Sequence, residues 1–106
     1  MKANTINITN SNGNKAVNQF IINKGNILYF QSYNTIVAKY NINKDKLILD
    51  HYTSAKDENG KYVLSRTTAR YLYRFVNNYC SGATILNSVI DVRKYNKENK
   101  TTNLNK

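Results

Sequence analysis

Proline and tryptophan are absent from this chain, and cysteine, histidine and methionine occur once each. The lone cysteine, Cys80, excludes an internal disulfide. With only His51 to join it, Cys80 also falls short of a structural zinc site. No apolar run approaches the roughly 18 residues that a membrane-spanning helix needs. The opening stretch MKANTINITNSNGNK has no apolar core of the signal-peptide kind, so a cytosolic protein with no membrane partner is expected. The four glycines form neither a GxxxxGK nor a GxGxxG pattern, which leaves no phosphate-cradling loop. Acids are scarce as well: six Asp and Glu stand against 16 Lys and Arg.

That imbalance gives a formal net charge of +10 in 106 residues. By charge alone it points to an anionic partner, whether nucleic acid, membrane or an acidic protein face, and of these the membrane is already set aside. A hydrophobic fraction of 41% and nine tyrosines support one small folded core rather than two. No acid precedes Asp45 and none lies between Asn59 and Ile90, whereas Lys and Arg recur throughout. Basicity therefore belongs to the domain and not to an appended tail.

The first half reads as strands. Asn12-Gly13 supplies the positive φ of a tight hairpin turn between Thr5–Thr9 and Ala16–Ile22. A second turn at Lys24-Gly25-Asn26 precedes Ile27–Gln31 and Thr35–Tyr40, both rich in β-branched and aromatic residues. Leu47–Leu49 follows the polar turn Asn43-Lys44-Asp45. Short connections imply antiparallel neighbours and hence a meander. Alternation places Phe20 with Ile22, Leu28 with Phe30, and Ile36 with Ala38 and Tyr40 on one face that needs a cover.

Residues 65–80 supply that cover. Thr68, Leu72, Phe75, Val76 and Tyr79 recur at helical spacing, Ser65 suits the N-cap, and Gly82 suits a left-handed C-terminal cap after Ser81. Residues 53–63 read as a charged loop or small hairpin around Asn59-Gly60. Residues 84–95 fit a helix somewhat better than a strand. The fold class is thus α+β, a single domain over 1–95: an antiparallel meander of four or five strands packed against one main α-helix (65–80), with a short C-terminal helix or strand. Residues 96–106 read as a polar, disordered tail.

On the helix, Arg66, Arg70 and Arg74 fall at i, i+4 and i+8 and form a stripe opposite the apolar face, flanked by Tyr73 and Asn77. No acid interrupts it. Arginine forks bind phosphate and carboxylate bidentately, so these five residues, with Lys56 and Lys61 from the loop, are the candidate partner-binding set. Asp50 beside His51 is the only pairing suggestive of general-base chemistry, and no serine or cysteine nucleophile is tied to it by a recognised motif. Asp57-Glu58 is the only acidic pair, and no second acidic cluster joins it as a metal site would require. No catalytic, cofactor-binding or metal residue is expected. The tyrosines invite comparison with base-stacking platforms, but the motifs of RRM and KH domains are missing.

Asn18-Gln19-Phe20, then Tyr29-Phe30-Gln31-Ser32-Tyr33 with Ile36 and Ala38, then Ser65-Arg66-Thr67-Thr68 followed by Tyr71-Leu72-Tyr73 and Phe75, form an ordered series. It resembles a family of small, uncharacterised proteins encoded by phages and prophages of low-GC bacteria, over residues 12–80. That family tends to place Trp-Asp-Tyr directly before the SRTT motif. Here Asp50-His51-Tyr52 is separated from Ser65 by a longer polar insert. The resemblance implies a phage accessory protein acting in the host bacterial cytoplasm, and brings no catalytic residue with it. The expected function is non-enzymatic: binding, and inhibiting or modulating, a host protein or ribonucleoprotein complex that handles nucleic acid, as anti-CRISPR and other anti-defence proteins do. The alternative is a direct DNA- or RNA-binding regulator.

Overall fold

Short turns decide the topology. In the computed structural model, which describes residues 4–9, 12–80, 82 and 85–105, five strands follow one another. They are β1 (Asn4–Thr9), β2 (Lys15–Lys24), β3 (Ile27–Ser32), β4 (Thr35–Asn41) and β5 (Lys46–Leu49). Each pairs antiparallel with the next, as the short connections require. Gly13 and Gly25, at φ +81° and +60°, supply the positive φ of the first two turns. The chain continues through a 3-10 turn (His51–Ser54), α1 (Arg66–Tyr79) and α2 (Val89–Glu98). The architecture is α+β.

The Ser65 hydroxyl oxygen caps α1 by accepting from the Thr68 amide at 3.1 Å. The helix buries Thr68, Ala69, Tyr71, Leu72, Phe75 and Val76, and Phe75 stacks on Phe30 of β3 with ring centroids 5.8 Å apart. Tyr79, expected on this face, is instead exposed, and Tyr71 takes its place in the core. α2 is the helix expected within 84–95, but it begins at Val89. The Ser88 hydroxyl oxygen accepts from the Asp91 amide, and the Asp91 carboxylate accepts from the Asn87 amide at 2.8 Å. Residue 84 lies outside the described residues.

Two irregularities overturn the simple alternation. Asn18 adopts φ +60° within β2, and the β1–β2 register shifts between Asn7 and Thr9. The side-chain phase of β2 is thereby reset, so Gln19 and Ile21 enter the core while Phe20 and Ile22 take the opposite face. In β4 the register shifts again, so that Gln31 pairs with Ile36 and Phe30 with Ala38. Val37 is the extra residue, and Ile36 moves to the face opposite Ala38 and Tyr40.

Two further expectations are corrected. Gly82 does not adopt the left-handed φ of a helix cap; a Cβ there would collide with the Asp45 carboxylate. Its role is close approach, and Ser81, with which it was paired, lies outside the described residues. The stretch from 96 onward is not a loose tail either. Asn96 to Glu98 complete α2, and Thr102 bridges Asp50 in parallel at the sheet edge. The Asn105 side chain donates to the Ile36 carbonyl at 3.0 Å and accepts from the Ile36 amide at 2.7 Å. Asparagine carries the same donor and acceptor as a peptide group, so a polar segment can still complete a sheet edge.

Candidate partner-binding surface

α1 owes its two faces to the wide apolar arc that docks on the sheet, which leaves positions 66, 70, 74 and 77 off that arc, while Tyr73 at its margin packs partly buried against the core. Arg66 and Arg70 are exposed and make no hydrogen bond or ion pair with a described residue. Arg74 differs: its Nη1 donates to the Thr9 carbonyl at 2.6 Å, and its guanidinium carbon lies 5.7 Å from the Tyr71 ring centroid. It fastens the end of β1 to the helix. Asn77 is also engaged, because its amide donates to the Leu86 carbonyl at 2.9 Å and accepts from the Leu86 amide at 3.1 Å. That clasp holds the approach to α2 against α1. Tyr73 is half-buried, and its phenol is raised above the ordinary value by burial foremost and by Asp91 next, with Arg93 opposing. Tyr73 therefore lies toward the start of α2.

Lys56 and Lys61 belong to the hairpin expected around Asn59-Gly60. Lys56 pairs with Tyr62, Gly60 takes φ +78°, and the Asp57 carboxylate accepts from the amides of Asn59 at 2.8 Å and Lys61 at 3.0 Å. Asp57 is thus a turn-forming residue. The sequence alone does not single out Tyr62, yet the Lys56 Nζ lies 4.9 Å from its ring centroid and the Arg93 guanidinium carbon 4.1 Å. Beside it opens a cleft of about 310 Å³ with Leu64, Val89 and Val92 as its apolar wall and Lys61, Tyr62 and Arg93 among its other lining residues. Tyr62 and Arg93 could not be paired beforehand, because 31 positions of sequence carry no signal for a tertiary cation–ring contact.

A larger groove of about 890 Å³ beneath α2 mixes Asp45, Asp91 and Glu98 with Lys46, Lys94 and Lys100. It therefore has no single-signed field. The sheet face away from the helices differs. Ile22, Tyr29, Lys39 and Ile48 form one cross-strand row, with Lys24, Ile27, Asn41 and Lys46 in another. Neither row contains an acid. The sequence signal was the absence of acids before Asp45, but the two register shifts hid which residues share the face.

The Asp50 carboxylate accepts from the amides of Tyr52 at 2.9 Å and Leu104 at 2.7 Å and from Asn105 Nδ2 at 3.2 Å. It is buried and caps the 3-10 turn. His51 is exposed, its Nδ1 2.8 Å from the Thr101 hydroxyl. The two side chains thus face separate partners. Burial first, and the nearby Asp45 second, push the Cys80 thiol up to about 12. Near neutral pH it is a protonated, poorly nucleophilic group. Among the described residues no three His, Cys, Asp or Glu side chains gather into a metal-binding group.

No curated protein and no solved structure matches the chain. Its sheet, α1 and the start of α2 do match a family: residues 1–91 place the chain in DUF8033, a family of unknown function, to which it belongs.

Proposed function

We propose that this chain is a non-enzymatic phage accessory protein of the host bacterial cytoplasm. It binds, and inhibits or modulates, a host complex that handles nucleic acid, in the manner of an anti-CRISPR or other anti-defence inhibitor. The observation that carries this reading is the pair Arg66 and Arg70: two exposed guanidinium groups, engaged by no described residue, one turn apart on a rigid helix that contains no acid. Guanidinium groups so placed suit carboxylates or phosphates of a partner surface. The motif resemblance over residues 12–80 supports the phage assignment.

The test is affinity capture from a bacterial lysate, with and without nuclease, using wild type and an Arg66→Glu/Arg70→Glu variant. A host protein retained after nuclease treatment and lost with the variant is the expected result. Equal capture by both proteins would overturn the reading.

One observation favours direct nucleic-acid binding as a second reading. On the open sheet face Lys24, Lys39 and Lys46 accompany Phe20 and Tyr29, which are diagonal neighbours across β2 and β3. Rings and cations in that arrangement suit stacked bases and their phosphates. Binding of this kind weakens steeply with salt, whereas a protein interface with an apolar centre depends on it less.

A further inference from the structure

We propose that the cleft between the Lys56–Tyr62 hairpin and the start of α2 receives one bulky apolar side chain from an acidic segment of the partner protein. This deepens the reading of a protein-binding module and rests on it. The cavity measures about 310 Å³, at the small end of ligand-binding pockets. That size suits a single anchor residue. Leu64, Val89 and Val92 make its wall apolar. Val92 is locked into the core at 1% exposure, while Val89 remains 38% exposed. Covering Val89 and the neighbouring Tyr62 would remove apolar surface from water, the usual source of an anchor's binding energy.

The charges around the cleft select the flanks of that anchor. Lys61 and Arg93 line it and Lys56 stands over the Tyr62 ring, whereas no acid is among the lining residues. The acids of the hairpin and of the first turn of α2 do not line it. The Asp57 carboxylate holds the hairpin turn and that of Asp91 accepts from the Asn87 amide, while Glu58 sits exposed in the turn outside the cleft. Arg93 is held over Tyr62 at 4.1 Å. Part of its ordering is therefore complete before a carboxylate arrives. A nucleobase is the poorer occupant, since the Tyr62 ring it would stack on already engages Lys56 and Arg93, and an apolar side chain can use the Leu64, Val89 and Val92 wall without displacing either.

The experiment uses the full chain and fluorescein-labelled acidic nonapeptides with phenylalanine, leucine or glycine at the centre, read by anisotropy. The phenylalanine and leucine peptides should bind about tenfold tighter than the glycine peptide, equivalent to ~1.4 kcal/mol. Val89→Glu and Arg93→Glu should each weaken them by about tenfold or more. Lys61→Glu, a fully surface change, provides the same reading if Val89→Glu does not fold. Lys15→Glu, an exposed change at the start of β2 away from the cleft, should leave peptide affinity unchanged. Equal affinity for all three peptides, or wild-type affinity in the cleft variants, overturns the proposal. So does a dimer by light scattering that Val89→Glu splits, or an oligonucleotide that binds through Arg93 while no peptide does. If the peptides fail while lysate capture still depends on Arg66 and Arg70, the cleft assignment alone falls. If capture ignores those arginines while the peptides bind as expected, the arginine reading alone falls.

Discussion

The Ser32 hydroxyl lies 2.9 Å from the Thr68 hydroxyl inside the core, joining β3 to α1. Ser32 belongs to the Tyr29–Tyr33 motif and Thr68 to the SRTT motif, so two of the segments that carry the family resemblance meet there. The Ser65 hydroxyl donates to Thr68 Oγ1 at 3.0 Å while accepting from the Thr68 amide. One relay of hydroxyls thus runs from the helix cap to the sheet. Gln19, from the third motif, pairs in register with Ser32 and is fully buried.

Thr68→Val keeps the shape of the side chain and removes its hydroxyl. Ser32 would then be left without this partner in the core, at a cost of about 1–3 kcal/mol. Urea unfolding should show a lower midpoint with an unchanged slope, and Ser32→Ala in the Thr68→Val background should recover part of the loss.

Gly82→Ala should be destabilising, because the new methyl would displace an Asp45 carboxylate that accepts from the Tyr40 hydroxyl at 2.7 Å. Losing that charged hydrogen bond is worth about 1.5–3 kcal/mol. In an Asp45→Ala background the glycine substitution should be nearly neutral. A double-mutant cycle by thermal melting measures the coupling.

Arg74 should separate from the other two arginines of its stripe. Arg74→Ala removes the tie to the Thr9 carbonyl and should speed amide exchange in β1, whereas Arg66→Ala and Arg70→Ala should not. Hydrogen exchange read by mass spectrometry distinguishes them. Exposed replacements at 66 and 70 should stay within about 0.5 kcal/mol of wild-type stability.

Asp50→Ala should release the C-terminal strand-like segment. The amides of Leu104 and Tyr52 lose their acceptor, so exchange should rise there and at Ile36, whose amide donates to Asn105. The same substitution should leave the Phe30–Phe75 stack intact, visible as an unchanged near-UV spectrum.

Stability should fall in alkali. The Cys80 thiol rises from 9.0 to about 12 on folding, and the Tyr73 and Tyr95 phenols rise above 10.0, burial being the foremost cause in each. Below pH 9 the thiol is protonated in both states and its contribution is complete. As the pH climbs from 9 toward 12 the unfolded chain loses the proton first, which favours unfolding. Denaturation midpoints should therefore hold level to about pH 9 and decline above it. Cys80→Ala should delay the onset toward the tyrosine range.

Turn glycines, β-branched runs and the helix-period stripe made the meander and α1 legible in the sequence, because they act over a few residues and depend little on what surrounds them. The arginine stripe was legible for the same reason, its members being set by 3.6-residue geometry. Tertiary structure decided the rest. The phase of β2 turned on one positive φ at Asn18, and that of β4 on the extra residue Val37, each reversing the face of the residues on one side of it. Asn77 and Arg74 found backbone partners outside α1, and Asn105 completed a sheet edge 69 positions away. The cleft beside Tyr62 exists only where the hairpin meets α2. Local propensity carries no information about such long-range partners, whose formation depends on which surfaces the packed core brings together.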